Sequence, residues 1–190
     1  MAAITSKAIP AAIVTTDKCF IRAYVPSDAT AASAAANTPE ISKYMRNTFP
    51  YPYTLENANF WINFSLSQTP MVNFAIFALD GAFAGGIGLI PGTDIQYRTW
   101  EVGYWIGKDH WGKGIATSAL KAFSAWAFKE FPELLRIDAG VLEGNAASAK
   151  VLERAGFTKE GVRRKSICKK GKVMDQVLFG LLREEVESLE

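Results

Sequence analysis

The chain has 190 residues, of which 49% are hydrophobic and 21% charged, with a formal net charge of +2. That length and balance predict one globular domain over residues 1–190 with a substantial core, and the small net charge makes no general case for nucleic acid or an anionic membrane as partner. No run of about 18 apolar residues occurs, so no transmembrane helix is expected, and Lys7 and Pro10 interrupt the first apolar stretch, leaving residues 1–10 as a flexible leader rather than a signal peptide.

In chain order, residues 11–15 and 19–24 carry β-branched and aromatic side chains around Thr16-Asp17-Lys18, which predicts a hairpin or a bent first strand. Pro26-Ser27-Asp28 opens an alanine-rich helix over residues 29–36, and Pro39 starts a second helical piece over 40–45. Two prolines stiffen the aromatic loop Phe49-Pro50-Tyr51-Pro52-Tyr53, which either packs on the core or walls a ligand site. Thr54 is placed to cap a helix over residues 55–66. Residues 72–79 and 82–90 read as strands joined by Asp80-Gly81, a two-residue hairpin signal. Gly85, Gly86 and Gly88 mark a bulge or a close approach of backbone. Residues 100–106 are apolar on both faces except for Glu101, the pattern of a central strand.

Next comes Lys108-Asp109-His110-Trp111-Gly112-Lys113-Gly114-Ile115-Ala116-Thr117, a tight glycine loop leading into a helix over 115–130. Ile115, Ala119, Phe123, Trp126 and Ala127 form one apolar stripe on that helix. Leu135, Ile137, Ala139 and Val141 alternate as a strand over 135–142. Asn145 can cap a helix over 146–155, which Gly156-Phe157 would close as a glycine C′ with an apolar C″. Residues 160–168 and 173–182 form a hairpin around 169–172. The order is strand, two helices, three antiparallel strands, helix, strand, helix, hairpin. It is an α+β or mixed α/β pattern rather than a doubly wound sheet.

The glycine loop is the first stretch that suggests chemistry. A helix that follows such a loop leaves its first N–H groups without partners, at the positive end of the helix dipole, which suits an anion such as a phosphate. Gly112 and Gly114 allow close approach, and Lys113 adds a cation. The loop lacks G-x-x-x-x-G-K-[ST], so it is not a P-loop. Thr117 stands where a dinucleotide fingerprint needs its third glycine. What the loop resembles is the pyrophosphate arm of the GNAT acetyltransferases, [QR]-x-x-G-x-[GA], with Gly114 and Ala116 at the small positions and Trp111 in place of Gln or Arg. The segment Asn145-Ala146-Ala147-Ser148-Ala149-Lys150-Val151-Leu152-Glu153-Arg154-Ala155-Gly156-Phe157 is similar to the N-x-x-S-x-x-V-L-E-K-x-G-F signature of the RimJ/RimL-like branch of that superfamily. The resemblance covers nearly the whole chain. It implies a central, twisted, mostly antiparallel sheet that splays between the fourth and fifth strands, with flanking helices.

The resemblance also implies transfer of an acetyl group from acetyl-CoA to a primary amine by direct attack in a ternary complex. Trp111, Gly112, Lys113, Gly114, Ile115, Ala116 and Thr117 would hold the pyrophosphate, and Tyr104, Trp105 and Ile106 would pair with the pantetheine. Asn145 is read first as a helix cap and second as a contact to the cofactor arm. Two carboxylates compete as the base. Glu101 is alone in an apolar strand, where either desolvation would raise its pKa toward neutral or the carboxylate is structural and hydrogen-bonded to a neighbouring loop. Glu160 matches the glutamate of G-F-x-x-E-G in RimJ/RimL-like enzymes and is the one preferred. Ser148 is the acid expected beside the thioester, ahead of Tyr104, whose central strand suggests core. Asp175 is read as structural.

Cys19 and Cys168 lie far apart and are read as reduced thiols of a cytoplasmic protein. His110, the only histidine, offers them no designed partner, and one histidine with two cysteines provides no metal set. The basic run of Arg163, Arg164, Lys165, Lys169, Lys170 and Lys172 is read as a solvated hairpin tip, with an acidic acceptor or the ribosome as the sharper alternative. Partners are therefore acetyl-CoA and an amine, either a peptide N-terminus or a small molecule, with the protein a monomer or a homodimer. Deprotonating a lysine ammonium at pH 7 costs roughly 4 kcal/mol and an α-amine about 1.4 kcal/mol, which tilts the choice away from lysine. Because a fold does not dictate activity, a non-catalytic acyl-CoA-binding module is the alternative.

Overall fold

The structure is a computed structural model that describes residues 9–187, so most of the expected leader lies outside the described residues. Fourteen elements organise it: β1 (Ala12–Thr15), β2 (Cys19–Arg22), α1 (Ala29–Ala36), α2 (Pro39–Ser42), α3 (Leu55–Ser67), β3 (Asn73–Ala78), β4 (Phe83–Ile90), β5 (Thr99–Ile106), α4 (Ile115–Glu130), β6 (Arg136–Leu142), α5 (Ala146–Arg154), β7 (Thr158–Lys169), β8 (Lys172–Leu182) and α6 (Arg183–Glu187). The eight strands form one sheet in the order β1-β2-β3-β4-β5-β6-β8-β7. Every neighbouring pair is antiparallel except β5 and β6. The first strand resolves into the hairpin β1–β2, so the parallel junction falls between the fifth and sixth strands rather than the fourth and fifth.

The period-2 alternation of the strands sorts the apolar side chains onto two faces. One face carries Ile21, Phe74, Ile76, Leu89, Val102 and Ile137, which pack with Ala119, Leu120 and Phe123 of α4 and Leu152 of α5. The other carries Ala75, Phe77 and Phe83, which meet Ala32 and Ala36 of α1 and Ala58 and Ile62 of α3. Trp126 completes the expected α4 stripe at the edge of the first core, with its ring 5.1 Å from Phe74 and 5.2 Å from Phe123. Leu135 departs from its expected place: it precedes β6 and is exposed, and its N–H donates to the carbonyl of Arg98 at 2.9 Å.

Local signals set most of the boundaries. Thr54 caps α3 in a reciprocal box with Asn57, each side-chain oxygen accepting from the other's backbone N–H at 3.2 and 2.9 Å. α5 ends in a Schellman motif. There Phe157 N–H donates to Leu152 and Gly156 N–H to Glu153, at 3.0 and 3.1 Å. Lys170 and Gly171 both hold positive φ, +47° and +82°, as a two-residue hairpin turn requires. Both glycine readings in β4 apply. The β3–β4 register shifts between Ile76 and Phe77, and a Cβ on Gly86 would lie 2.5 Å from the hydroxyl of Tyr24 and 3.0 Å from the indole nitrogen of Trp105.

Candidate active site

The parallel junction is where the sheet fails to close. Only Thr99, Trp100 and Glu101 of β5 find partners on β6, namely Arg136, Ile137 and Asp138. From Val102 onward the two strands diverge into a V, and residues 102–106 show β6 a backbone edge with no ladder partner. This explains why a central strand has partly exposed residues, with Gly103 exposed.

At the open end of β5 the chain turns through Lys108–His110 into the glycine loop. Gly112 and Gly114 both adopt left-handed backbone, φ +74° and +79°, and a Cβ on either would meet nothing within 4 Å. The mouth above the first turn of α4 is therefore open, and the N–H groups of Ile115, Ala116 and Thr117 have no earlier helical carbonyl to bond. Open N–H groups at a helix start suit an anion. Trp111 anchors the loop: its indole nitrogen donates to the carbonyl of Ile106 at 2.7 Å, fastening the loop to the last residue of β5. The departure from Gln or Arg at this position thus has a structural use.

Tyr104 and Ser148 meet across the V on the face that carries α4 and α5. Tyr104 Oη lies 2.9 Å from Ser148 Oγ and also donates to the Ser148 carbonyl at 3.3 Å. Burial pushes the Tyr104 phenol up to about 12, with the Ser148 hydrogen bond opposing the shift. Asn145 caps α5 as expected, its Oδ1 accepting from the Ser148 N–H at 3.3 Å. The expectation that Tyr104 belongs to the core is half the story. Its ring packs against the main core, while its hydroxyl reaches the serine.

The opposite face carries the two candidate carboxylates, and of the two readings of Glu101 it is the contact to a neighbouring loop that the structure has. Glu101 is not desolvated: its side chain is 41% exposed, and Arg46 from the loop after α2 binds Oε2 at 2.7 Å. Trp100 and Val102, its neighbours along the strand, pack into the core on the other face, so the predicted burial does not arise. Glu160 is chelated. Arg136 donates to Oε1 at 2.8 Å and also to Oε2, and this guanidinium holds the Glu160 carboxyl below its ordinary range. Arg136 binds Asp138 as well, and Asp138 is the register partner of Glu101. The row therefore runs Arg46–Glu101, then Asp138–Arg136–Glu160. Glu101 stands where the V begins to open, while Glu160 lies on β7, separated from β6 by β8.

The aromatic loop divides its work. Phe49 and Tyr53 pack together at 4.8 Å, Phe49 meets Trp105 edge-on at 5.9 Å, and Tyr51 stays exposed. Asp175 is structural, as read: its Oδ1 accepts from the Lys165 N–H at 2.8 Å, supporting a residue of positive φ. Cys19 is buried, its thiol pushed up by that burial, and Cys168 is exposed; both are free. Arg46, Arg136 and the Tyr104–Ser148 contact were beyond sequence reasoning, because no local pattern pairs residues so far apart.

Comparison with known proteins gives a consistent result. The family model described as "Acetyltransferase (GNAT) domain" matches residues 18–158. "Probable N-acetyltransferase YjcK" of Bacillus subtilis is 38% identical over 123 residues, which is 64% of this chain and 67% of that protein. "Uncharacterized N-acetyltransferase p20" of Bacillus licheniformis is 31% identical over 174 residues, covering 90% of this chain and 96% of that one. Among solved structures, the RimL ribosomal L7/L12 α-N-protein acetyltransferase in complex with coenzyme A shares the fold, with a TM-score of 0.79 at 19% identity over 90% of this chain and 98% of its own.

Proposed function

The chain belongs to the GNAT acetyltransferase family, and we propose that it moves an acetyl group from acetyl-CoA to a peptide N-terminal α-amine or a small-molecule amine, by direct attack in a ternary complex. The observation that supports this most is the division of labour across the V. Hydroxyl donors and the glycine loop share the donor face, and Glu101 stands on the other. An amine acetylation needs one proton removed on the acceptor side and one supplied on the thiol side, and this chain has a candidate for each.

The N–H groups of residues 112–117 bind the pyrophosphate, the free edge of Tyr104, Trp105 and Ile106 aligns the pantetheine, and the Asn145 side chain orders the start of α5. Ser148 Oγ donates to the leaving sulfur. Behind it the Tyr104 phenol, at about 12, stays protonated at neutral pH and holds the serine in place. Glu101 takes the ammonium proton in preference to Glu160. The reason is that a carboxylate with both oxygens on a guanidinium is a weaker base, and it sits two strands beyond β6. A reducing cytoplasmic setting suits two free thiols, one exposed.

The test is release of free thiol from acetyl-CoA that depends on added amine, with the product identified by mass. Amine-independent release alone would count against the reading. Tyr104→Phe should lower kcat about fivefold, the worth of one neutral hydrogen bond, with acetyl-CoA affinity unchanged by calorimetry. The Cys19→Ala, Cys168→Ala double variant should keep most of its turnover, because the Cys19 thiol is buried and pushed up, which makes it a poor nucleophile, and Cys168 lies on β7, away from the Tyr104–Ser148 contact. An acetylated cysteine trapped in the intact protein would overturn direct attack.

A further inference from the structure

The expected solvated tip of the last hairpin is instead one wall of a cleft of about 410 Å³. The other walls are α2 with the residues after it, and Glu143-Gly144. Gly144 directly precedes the Asn145 cap, so the cleft adjoins the open end of the V. Two contacts hold the walls together: Tyr44 Oη donates to the Gly144 carbonyl at 3.0 Å, and Lys169 Nζ donates to the Met45 carbonyl. Four lysines line it, Lys43, Lys169, Lys170 and Lys172, against one carboxylate, Glu143. The Oε2 of Glu143 already accepts from the Asp175 N–H at 3.2 Å. Lys169 is engaged with Met45, and Lys43 lies 5.0 Å from the Tyr44 ring centroid. The side chains of Lys170 and Lys172 have no hydrogen-bond or ion-pair partner among the described residues. No residue of the glycine loop lines the cleft.

We propose that this cleft receives the acceptor and selects amines that carry an anionic group, a carboxylate or a phosphate, a few bonds from the nitrogen. The inference rests on the acetyltransferase reading above and adds the acceptor's chemical class. Lys170 and Lys172 are the selecting cations, with the exposed Tyr51 ring as an apolar wall. Charges at a cleft mouth act through steering and weak pairing, so the preference is strongest at low salt.

The experiment uses the full chain with saturating acetyl-CoA and two acceptor series. One comprises matched peptides with an N-terminal serine followed by two aspartates, two asparagines or two lysines. The other pairs phosphoserine amide with serine amide. The anionic member should exceed its neutral counterpart by about three- to tenfold in kcat/KM, given the few-fold worth of each exposed charge pair, and the ratio should shrink as salt rises. Preference within the peptides alone identifies an acidic polypeptide acceptor; preference within the amides alone identifies a phosphorylated small molecule; either supports the proposal. The Lys170→Glu, Lys172→Glu double variant should invert the preference, with acetyl-CoA titration showing that the protein remains folded. Equal rates across charge types, or a preference that survives the double reversal, overturn the inference and leave the enzyme reading standing. No acetylation of any acceptor overturns both.

Discussion

Replacing Gly114 with aspartate is expected to abolish acetyl-CoA binding and leave the fold intact. Both halves follow from the same residue. Gly114 has φ +79° and caps α4, and a Cβ there meets nothing within 4 Å. Aspartate tolerates left-handed backbone better than most residues, at about 1–2 kcal/mol for an L side chain, and an anion at a helix N-terminus offsets part of that. So α4, which buries Ala119, Leu120 and Phe123 in the main core, stays in place. The new carboxylate, however, occupies the N–H cradle proposed for the pyrophosphate and would repel it. Two like charges 4 Å apart at an effective dielectric of 20 cost about 4 kcal/mol, roughly a thousandfold in affinity. Gly114→Ala separates the terms, since it adds the backbone strain without the charge and should lose far less. Calorimetric titration of both variants decides the matter. Undiminished affinity in a folded Gly114→Asp protein places the phosphates elsewhere.

What the sequence made legible is local. The glycine loop, the Thr54 cap, the Gly156-Phe157 closure and the Lys170-Gly171 turn all stand where short-range signals put them, because each is a backbone requirement met within a few residues. The anchoring of Trp111 on Ile106 could be guessed only as a departure from a motif, since nothing in the string shows that an indole replaces Gln or Arg as a strand-to-loop fastener. The catalytic candidates depend on distant pairings. Tyr104 and Ser148 are 44 positions apart, Arg46 and Glu101 55, and Arg136 and Glu160 24. Hydropathy placed Glu101 in an apolar strand and so suggested desolvation. The opening of the sheet beside that strand exposes it, and an arginine from another segment pairs with it. The strand order was equally out of reach. A hairpin predicts that β7 and β8 pair, but not that β8 takes the inner place beside β6 and carries Glu160 away from the junction.

That displacement makes the two glutamates separable by experiment. Glu101→Gln should lower kcat by about 10²–10⁴, the usual loss when a general base is removed, with acetyl-CoA affinity unchanged. The limb set by the acceptor amine, near 8 for an α-amine, should remain. Glu160→Gln should behave differently. Its carboxyl is held below the ordinary range by Arg136, so it is already ionised across any neutral assay and contributes no limb there. The sign for stability follows from the same depression. The Arg136–Glu160 contact stabilises the fold above the unfolded-state pKa of a glutamate and loses that effect as pH falls through the lower folded value. The variant should therefore narrow its stability difference from the parent protein in acid, and the change should be small, because the pair is partly exposed. Measuring kcat against pH and the denaturation midpoint against pH for both variants assigns the roles. If Glu160→Gln removes the acidic limb and Glu101→Gln keeps kcat within about threefold, the base is Glu160, and Arg136 must release it when the acceptor binds.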